Sequence, residues 1–417
     1  MHIDMHTAMI VPRRVLPVEN SNLPKDAPII GLGCSSFSHF FWSLEELAQA
    51  GGASQWTPGT MDRSHIHVQE WIRTIHYAIQ DCGITLLDTA PWYGHGSSEV
   101  VLGWAFEELF LKHPGIRSQL TINTKVGRYE EDPTNQFDFT YDATIKSVER
   151  SVKRMKCQYI DVLQLHDPEY APSLSVLLEE TIPAMIECRK KGWCKALGMT
   201  GYPLEVQHQI LEATMKKYGE SVFDQSLTYC HYNLHDFSLV TRPIANNDKS
   251  FADFIATNKM ILMAAAPLSM GLLTHVESPE WHPTSKALKG ACKQAASICE
   301  QKGVNISTLA IVVALANPRI PCTLLGMKNV EQVQLAAETA SRFAEVSSTE
   351  TDPATILKQV LSETEHAVWQ ELNDPTNGPF TTVWKDGSFR WDGSKDAFEF
   401  WKQVTGMEVE RWQCLPR

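Results

Sequence analysis

Residues 86–103 read LLDTAPWYGHGSSEVVLG. An apolar run of strand character stops at a carboxylate, Asp88, passes through a turn-rich loop that presents Tyr93, and then takes on a helical pattern. A buried strand that ends on a charged side chain and hands over to a helix is the unit from which parallel α/β folds are assembled. The same grammar recurs along the chain. IIGLG from Ile29, ITLLDTA from Ile84, LTINTKVG from Leu120 and YIDVLQLH from Tyr159 read as strands. So do KALGMTG from Lys195, VFDQSLTY from Val222, MILMAAAPL from Met260 and IPCTLLG from Ile320. All are short, rich in branched residues and often stopped by Gly or Pro. Between them lie helical spacings such as Val68, Trp71, Ile72, Ile75, Ile79 and Cys82, with Gly83 placed to end the helix.

Eight strands alternating with helices predict an α/β fold, a closed (β/α)8 TIM barrel over residues 29–346. A doubly wound open sheet is the competitor, but it would carry GxGxxG at its first turn, and GLGCSSFSHFF does not supply that. Residues 1–28 form an N-terminal extension expected to fray, its His2, Asp4 and His6 solvated rather than holding a metal. The segment from Phe37 to Arg63 reads as a long loop after the first strand. Residues 347–417 form a C-terminal extension with five of the twelve tryptophans, expected to pack on the barrel and to include a hairpin at TTVWKDGSFRW.

Composition narrows the function. A formal net charge of −12 lacks the basic footprint that nucleic-acid or anionic-membrane binding needs. No stretch is apolar for the roughly 20 residues that a membrane-spanning helix takes. The ten cysteines form no CxxC pair and no short Cys/His cluster, the usage of reduced thiols in a cytoplasmic chain, and no metal site is expected. No pattern in the sequence sets an oligomeric state.

In a barrel of this type chemistry collects at the carboxyl ends of the strands. Asp88, Lys125 and His166 close the second, third and fourth strands, and Tyr93 follows Asp88. Singly, each has an ordinary structural use: a cap or ion pair, a snorkelling strand end, a core histidine, a packing ring. Together they form a proton-transfer device. A phenol with an ordinary pKa of about 10 is a poor base near neutrality. An adjacent ammonium favours its ionised form, an aspartate keeps that ammonium charged, and a histidine orients a hydroxyl or carbonyl. With no nucleophile in the set, a hydride carrier has to supply the redox half.

GITLLDTAPWYGHGSSEVVLG, TKVG, DVLQLHD and LGMTGYP resemble the aldo-keto reductase superfamily over about Ile29 to Ala340. That resemblance implies a catalytic tetrad of Asp88, Tyr93, Lys125 and His166 and a nicotinamide cofactor across the barrel mouth. It places Gly33, Cys34 and Ser35 beneath the ring, beside Asp88, with Thr200 and Gly201 at the carboxamide. Pro267, Leu268, Met270 and Gly271 follow the pyrophosphate, and Leu325, Gly326, Met327, Lys328 and Gln332 hold the adenosine end. Within the superfamily, KVGRYEE, SLTYCHYNLHDFSL, APLSMGLLT, PEWHPTS and LLGMKNVEQV most resemble the plant-type L-galactose dehydrogenases, soluble enzymes that oxidise an aldose at C1 to its lactone on the route to ascorbate. The sequence departs from the superfamily pattern at Gly201, where an Asn is common, and at Leu335 and Ala336, where a Glu-Asn pair usually meets the adenine.

The resemblance leans towards NAD, with NADP kept open by Lys328, a candidate partner for a 2′-phosphate or a solvated charge. The partner expected is a small sugar, with Trp92, Tyr93, Tyr129, His166, Asp167 and His231 as candidate contacts. An NADPH-dependent aldehyde or ketone reductase using the same tetrad, and a nucleotide-sensing regulatory subunit on the same barrel, are the alternatives.

Overall fold

The computed structural model describes residues 9–17, 22–129, 137–244, 248–277, 282 and 284–380. Eight parallel strands close into a (β/α)8 barrel: β3 (Ile30–Gly33), β4 (Leu86–Asp88), β5 (Thr121–Val126), β6 (Ile160–His166), β7 (Cys194–Gly201), β8 (Gln225–Tyr229), β9 (Ile261–Ala265) and β10 (Cys322–Gly326). Each of the eight apolar runs forms one of these strands. They are buried almost throughout, because helices cover the outside and side chains fill the inside. The helix Ile66–Gln80 shows the pattern at work. Val68, Trp71, Ile72, Ile75 and Ile79 are buried along one stripe, and Gly83, at φ +67°, turns the chain back so that the Ile84 N–H meets the Ala78 carbonyl at 2.8 Å.

Register decides which side chains share a level at the carboxyl end. Gly33 pairs with Asp88, Lys125 with Gln164, His166 with Thr200, and Gly326 with Gly33. Strands separated by up to 293 positions in the sequence therefore end at one rim.

The amino terminus departs from the expected fraying. Its described residues 9–17 and 22–28 contain an antiparallel pair, β1 (Arg13–Val15) and β2 (Asp26–Pro28). The pair stays in place because it has apolar surface to cover: Leu16, Leu23 and Ala27 pack with Leu86, Leu227, Ile261, Met263, Cys322 and Leu324. The Arg14 guanidinium donates to the carbonyls of Leu315, Asn317 and Ile320. His2, Asp4 and His6 lie outside the described residues.

The segment from Phe37 to Arg63 is more regular than a long loop. It holds the helix Leu44–Gln49, capped reciprocally by Ser43 and Glu46, and Trp56, which packs against Trp42 and Trp71 at ring-centroid distances of 4.7 and 5.7 Å. After residue 347 the helices Pro353–Val360 and Glu363–Leu372 lie on the barrel through buried Ile356, Leu357, Val368 and Leu372. Phe380 reaches the ring of His235 at 5.6 Å. The hairpin expected at TTVWKDGSFRW, and the tryptophans beyond Trp369, lie outside the described residues.

Candidate active site

The turn in APWYGHGSS puts Tyr93 where it is. Gly94, His95 and Gly96 have φ of +61°, +53° and +92°, a left-handed run that glycine tolerates. A Cβ on Gly94 would lie 2.4 Å from the Ser38 Cβ, so glycine there also admits the loop that follows β3. Ser97 Oγ donates to the Gly94 carbonyl at 2.7 Å and Ser98 Oγ to the Cys34 carbonyl at 2.7 Å, locking the turn against the first strand.

Under that turn the Lys125 ammonium has three partners. It is ion-paired to Asp88 Oδ1, donates to the Thr89 carbonyl at 2.8 Å, and donates to the Tyr93 hydroxyl oxygen at 3.1 Å. Asp88 Oδ2 accepts from Gln164 Nε2 at 2.7 Å, and Gln164 Oε1 accepts from Gln225 Nε2 at 3.2 Å. The two glutamines were missed by the sequence reading. Their signal was an amide inside an otherwise apolar strand, in VLQLH and FDQSL. The His166 ring stands perpendicular to Tyr93 with centroids 6.1 Å apart. Asp88, Tyr93, Lys125 and His166 thus converge.

Their charge states follow from burial and neighbours. Burial works against the Lys125 ammonium, but Asp88 and then Tyr93 outweigh it, and its pKa is raised. His166 is pushed well below 6.5 by burial and by the charges of Lys125 and Arg128, so the imidazole is neutral. For Tyr93 the outcome reverses the expectation that the ammonium would lower its pKa. Burial raises the phenol more than Lys125 lowers it, and Asp88 adds to the rise.

A cavity of about 460 Å³ opens over this group. Of the residues assigned to it from sequence, its wall includes Gly33, Ser35, Asp88, Trp92, Tyr93, His166, Asp167 and Thr200 near the strand ends. Pro267, Leu268, Met270 and Gly271 line one flank, and Leu325, Gly326, Lys328 and Gln332 the far end. Six assigned residues lie off the wall, the first being Lys125, buried among the partners already given. Cys34 is buried with its thiol on the Leu32 carbonyl, and Met327 and Tyr129 are buried as well. His231 has spent both ring nitrogens, Nε2 on the Tyr202 carbonyl at 2.8 Å and Nδ1 on Ser238 Oγ at 2.9 Å. Gly201 turns its missing side chain towards Glu169, whose Oε2 would lie 2.7 Å from a Cβ placed there. Glu169 Oε1 accepts from the Tyr202 N–H at 3.1 Å, while Oε2 is buried without a partner, and burial beside Asp167 pushes the acid up to about 8.

Phe40, Arg128 and Tyr229 join the wall without having been singled out. Arg128 follows Lys125 by three positions in TKVGRY, a second cation at a strand end that could have been read as a signal. Its Nη1 donates to Asp167 Oδ2 at 2.9 Å, and its guanidinium carbon lies 3.4 Å from the centroid of Trp92.

The flank at residues 266–271 is a strained backbone. Ala266, Ser269 and Met270 have φ of +57°, +50° and +53°, conformations that cost non-glycine residues about 1–3 kcal/mol each and persist only when their surroundings impose them. Two histidines do so: His235 Nε2 meets Ser269 Oγ at 2.9 Å, and His282 Nε2 donates to the Ser269 carbonyl at 3.0 Å. At the far end Ser36 Oγ donates to the Met327 carbonyl at 3.0 Å, joining the loops after β3 and β10. Gln332 Oε1 accepts from the Lys328 N–H at 2.9 Å, fixing the start of the helix Val330–Ser341. A wall with a strained backbone flank ending in Gly271 and a helix amino terminus beside Lys328 and Gln332 fits a dinucleotide laid from the strand ends outward.

Comparison with known proteins agrees with this geometry. Residues 52–350 match the description of the aldo/keto reductase family. The chain is 34% identical over 289 residues to L-galactose dehydrogenase of Arabidopsis thaliana, covering 69% of this chain and 83% of that protein. It is 30% identical over 269 residues to D-arabinose 1-dehydrogenase of Saccharomyces cerevisiae, covering 63% and 74% respectively. Among solved structures, an aldo-keto reductase from Bacillus halodurans superposes with a TM-score of 0.58 at 19% identity, covering 84% of this chain and 97% of that one, a likeness of fold. The family match begins at residue 52, after β3 and after Phe40.

Proposed function

The chain belongs to the aldo/keto reductase family and is a nicotinamide-dependent oxidoreductase, and from that premise we propose that it oxidises an aldose, L-galactose first, at C1 to the aldonolactone. The observation that carries the proposal is the Tyr93 hydroxyl on the cavity wall with Asp88 and His166, 3.1 Å from the buried Lys125 Nζ that is ion-paired to Asp88. The similarity to L-galactose dehydrogenase and to D-arabinose 1-dehydrogenase supports the choice of substrate.

In this reading Thr200 and the flank from Pro267 to Gly271 hold the cofactor along the wall, and Leu325, Gly326, Lys328 and Gln332 take its adenosine end. When bound, the nicotinamide supplies the acceptor for the hydride released from C1. The protein's own groups manage the proton. The sugar's anomeric hydroxyl hydrogen-bonds to Tyr93 Oη and His166. Once the phenol has given up its own proton, Tyr93 Oη takes the hydroxyl proton as the C1–H bond breaks with its electron pair and the C1=O bond forms. Lys125 stabilises the charge on the phenolate oxygen, and Asp88 holds Lys125 in place. Run backwards, the same phenol protonates a carbonyl.

NAD is the preferred nucleotide in this proposal, because Lys328 is the one cation at the adenosine end among the described lining residues, a thin set for a 2′-phosphate. A reducing compartment such as the cytoplasm completes the reading, supported by nine cysteines that are buried and unpaired among the described residues.

The test is an assay of aldoses with NAD and NADP in parallel with simple aldehydes and NADPH. L-Galactose with NAD is expected to give the highest kcat/KM. Reduction of plain aldehydes with no oxidation of any aldose would replace the proposal by the carbonyl-reductase reading.

A further inference from the structure

Beyond the tetrad, the wall next to His166 is polar and rigid. Asp167 follows His166 directly, at φ +46°, and its N–H donates to the Thr200 carbonyl at 2.8 Å. That left-handed step sets its carboxylate beside the imidazole, with Oδ2 3.6 Å from His166 Nε2. Arg128 arrives from the neighbouring strand end and pairs with the same oxygen at 2.9 Å. Both side chains are more than nine-tenths buried, yet both line the cavity. Trp92 holds the guanidinium from one face, at 3.4 Å, and Phe40 packs on Trp92 edge-on at 4.8 Å.

A buried ion pair adds little to stability once desolvation is counted. Its place on the cavity wall gives it another use. The pair is neutral overall, with an acceptor and a donor side by side, one residue beyond the histidine that orients the reacting oxygen. A carboxylate or phosphate on the substrate would lose beside Asp167 what it gains from Arg128. An uncharged diol matches both members, one hydroxyl donating to the carboxylate and the next accepting from the guanidinium.

We propose that Asp167 and Arg128 form a vicinal-hydroxyl subsite, which binds the two hydroxyls next to the reacting carbon and selects polyhydroxylated substrates over plain ones. The subsite rests on the proposed placement of the reacting carbon between Tyr93 and His166. It assigns Trp92 the part of a platform for Arg128, with the sugar contacts made by the ion pair.

The experiment reads a ratio of kcat/KM values in both directions: L-galactose over its 2-deoxy analogue in oxidation, and glyceraldehyde over propanal in reduction. A site built to bond a hydroxyl discriminates against its absence by roughly 100-fold or more. That preference is expected in the wild type, with a fall below about tenfold in Asp167→Asn, in Arg128→Met and in the double variant, in which neither charge is left alone. Melting temperatures confirm that each variant is folded. A wild type that does not distinguish the paired substrates, or variants that keep the full ratio, would overturn the subsite. If no aldose is oxidised, the proposed function fails on its own, while the glyceraldehyde-to-propanal ratio still decides the subsite.

Discussion

Lys125 Nζ lies 3.1 Å from the Tyr93 hydroxyl, and the phenol nevertheless stays above its ordinary pKa. Proximity to a cation is half of the balance; the other half is the removal of water from around the oxygen, and here that wins. The resting site therefore holds a neutral phenol, a neutral imidazole and a charged ammonium. This is an acid ready to give a proton, which becomes a base only when that proton has left.

Tyr93→Phe removes the proton carrier and leaves the ring. General acid-base groups contribute about 10²–10⁴ in rate, so kcat is expected to fall by roughly that factor in either direction. Nucleotide affinity, followed by quenching of tryptophan fluorescence, should shift by no more than about threefold. A variant with wild-type turnover would remove Tyr93 from the chemistry.

The raised phenol fixes the direction of the pH dependence. Oxidation needs the phenolate, so its kcat/KM should climb by up to about tenfold per pH unit from 7 to 9, as long as proton removal limits the rate. Reduction uses the phenol and should stay level across the same range. Profiles with the two directions interchanged would contradict the assignment of Tyr93.

Gly201 stands at one of the positions where the resemblance implies a larger residue, and the structure gives a reason for glycine: a Cβ would approach Glu169 Oε2 to 2.7 Å and Pro168 Cδ to 3.3 Å. Overpacking of this kind costs about 1–3 kcal/mol. Gly201→Ala should lower the melting temperature by several degrees, and the loss should shrink when the same change is made in Glu169→Ala, as read from a double-mutant cycle. Equal losses in both backgrounds would show that the contact with Glu169 is not the cause.

Four histidines, three of them buried and His95 half-buried, give the protein a predictable response to acid. Burial lowers His39, His95 and His235 to about 4 and His282 to about 3. Their unfolded pKa is near 6.5, so below that value the unfolded chain binds more protons than the folded one, and stability falls as the pH drops. From pH 7 to 5 each contributes a loss of about 2 kcal/mol. Urea midpoints should decline steeply over that interval. His39→Phe, which removes a ring with neither nitrogen bonded, should flatten the decline by about one proton's share.

Much of the barrel was legible in the chain itself. Strand-ending residues are governed by local pattern, and a side chain that closes a parallel strand has nowhere to go except the rim, which is why Asp88, Lys125 and His166 could be placed together from sequence. Loop side chains have no such constraint. His231 and Asp167 both sit just beyond strand ends, yet His231 turns inward to satisfy Tyr202 and Ser238 while Asp167 faces the cavity beside Arg128. That choice depends on partners many residues away.

By itself the sequence determined the order of strands and helices, the closed barrel they imply and the four side chains gathered at its carboxyl rim, because period and strand termination are properties of neighbouring residues. Tertiary structure alone decided that β1 and β2 would cover the apolar base, that Arg128 would lie over Trp92, and that burial would outweigh the ammonium at Tyr93. Each of those outcomes is a balance of desolvation and contact between groups brought together from distant parts of the chain, and such a balance exists only once the chain has folded.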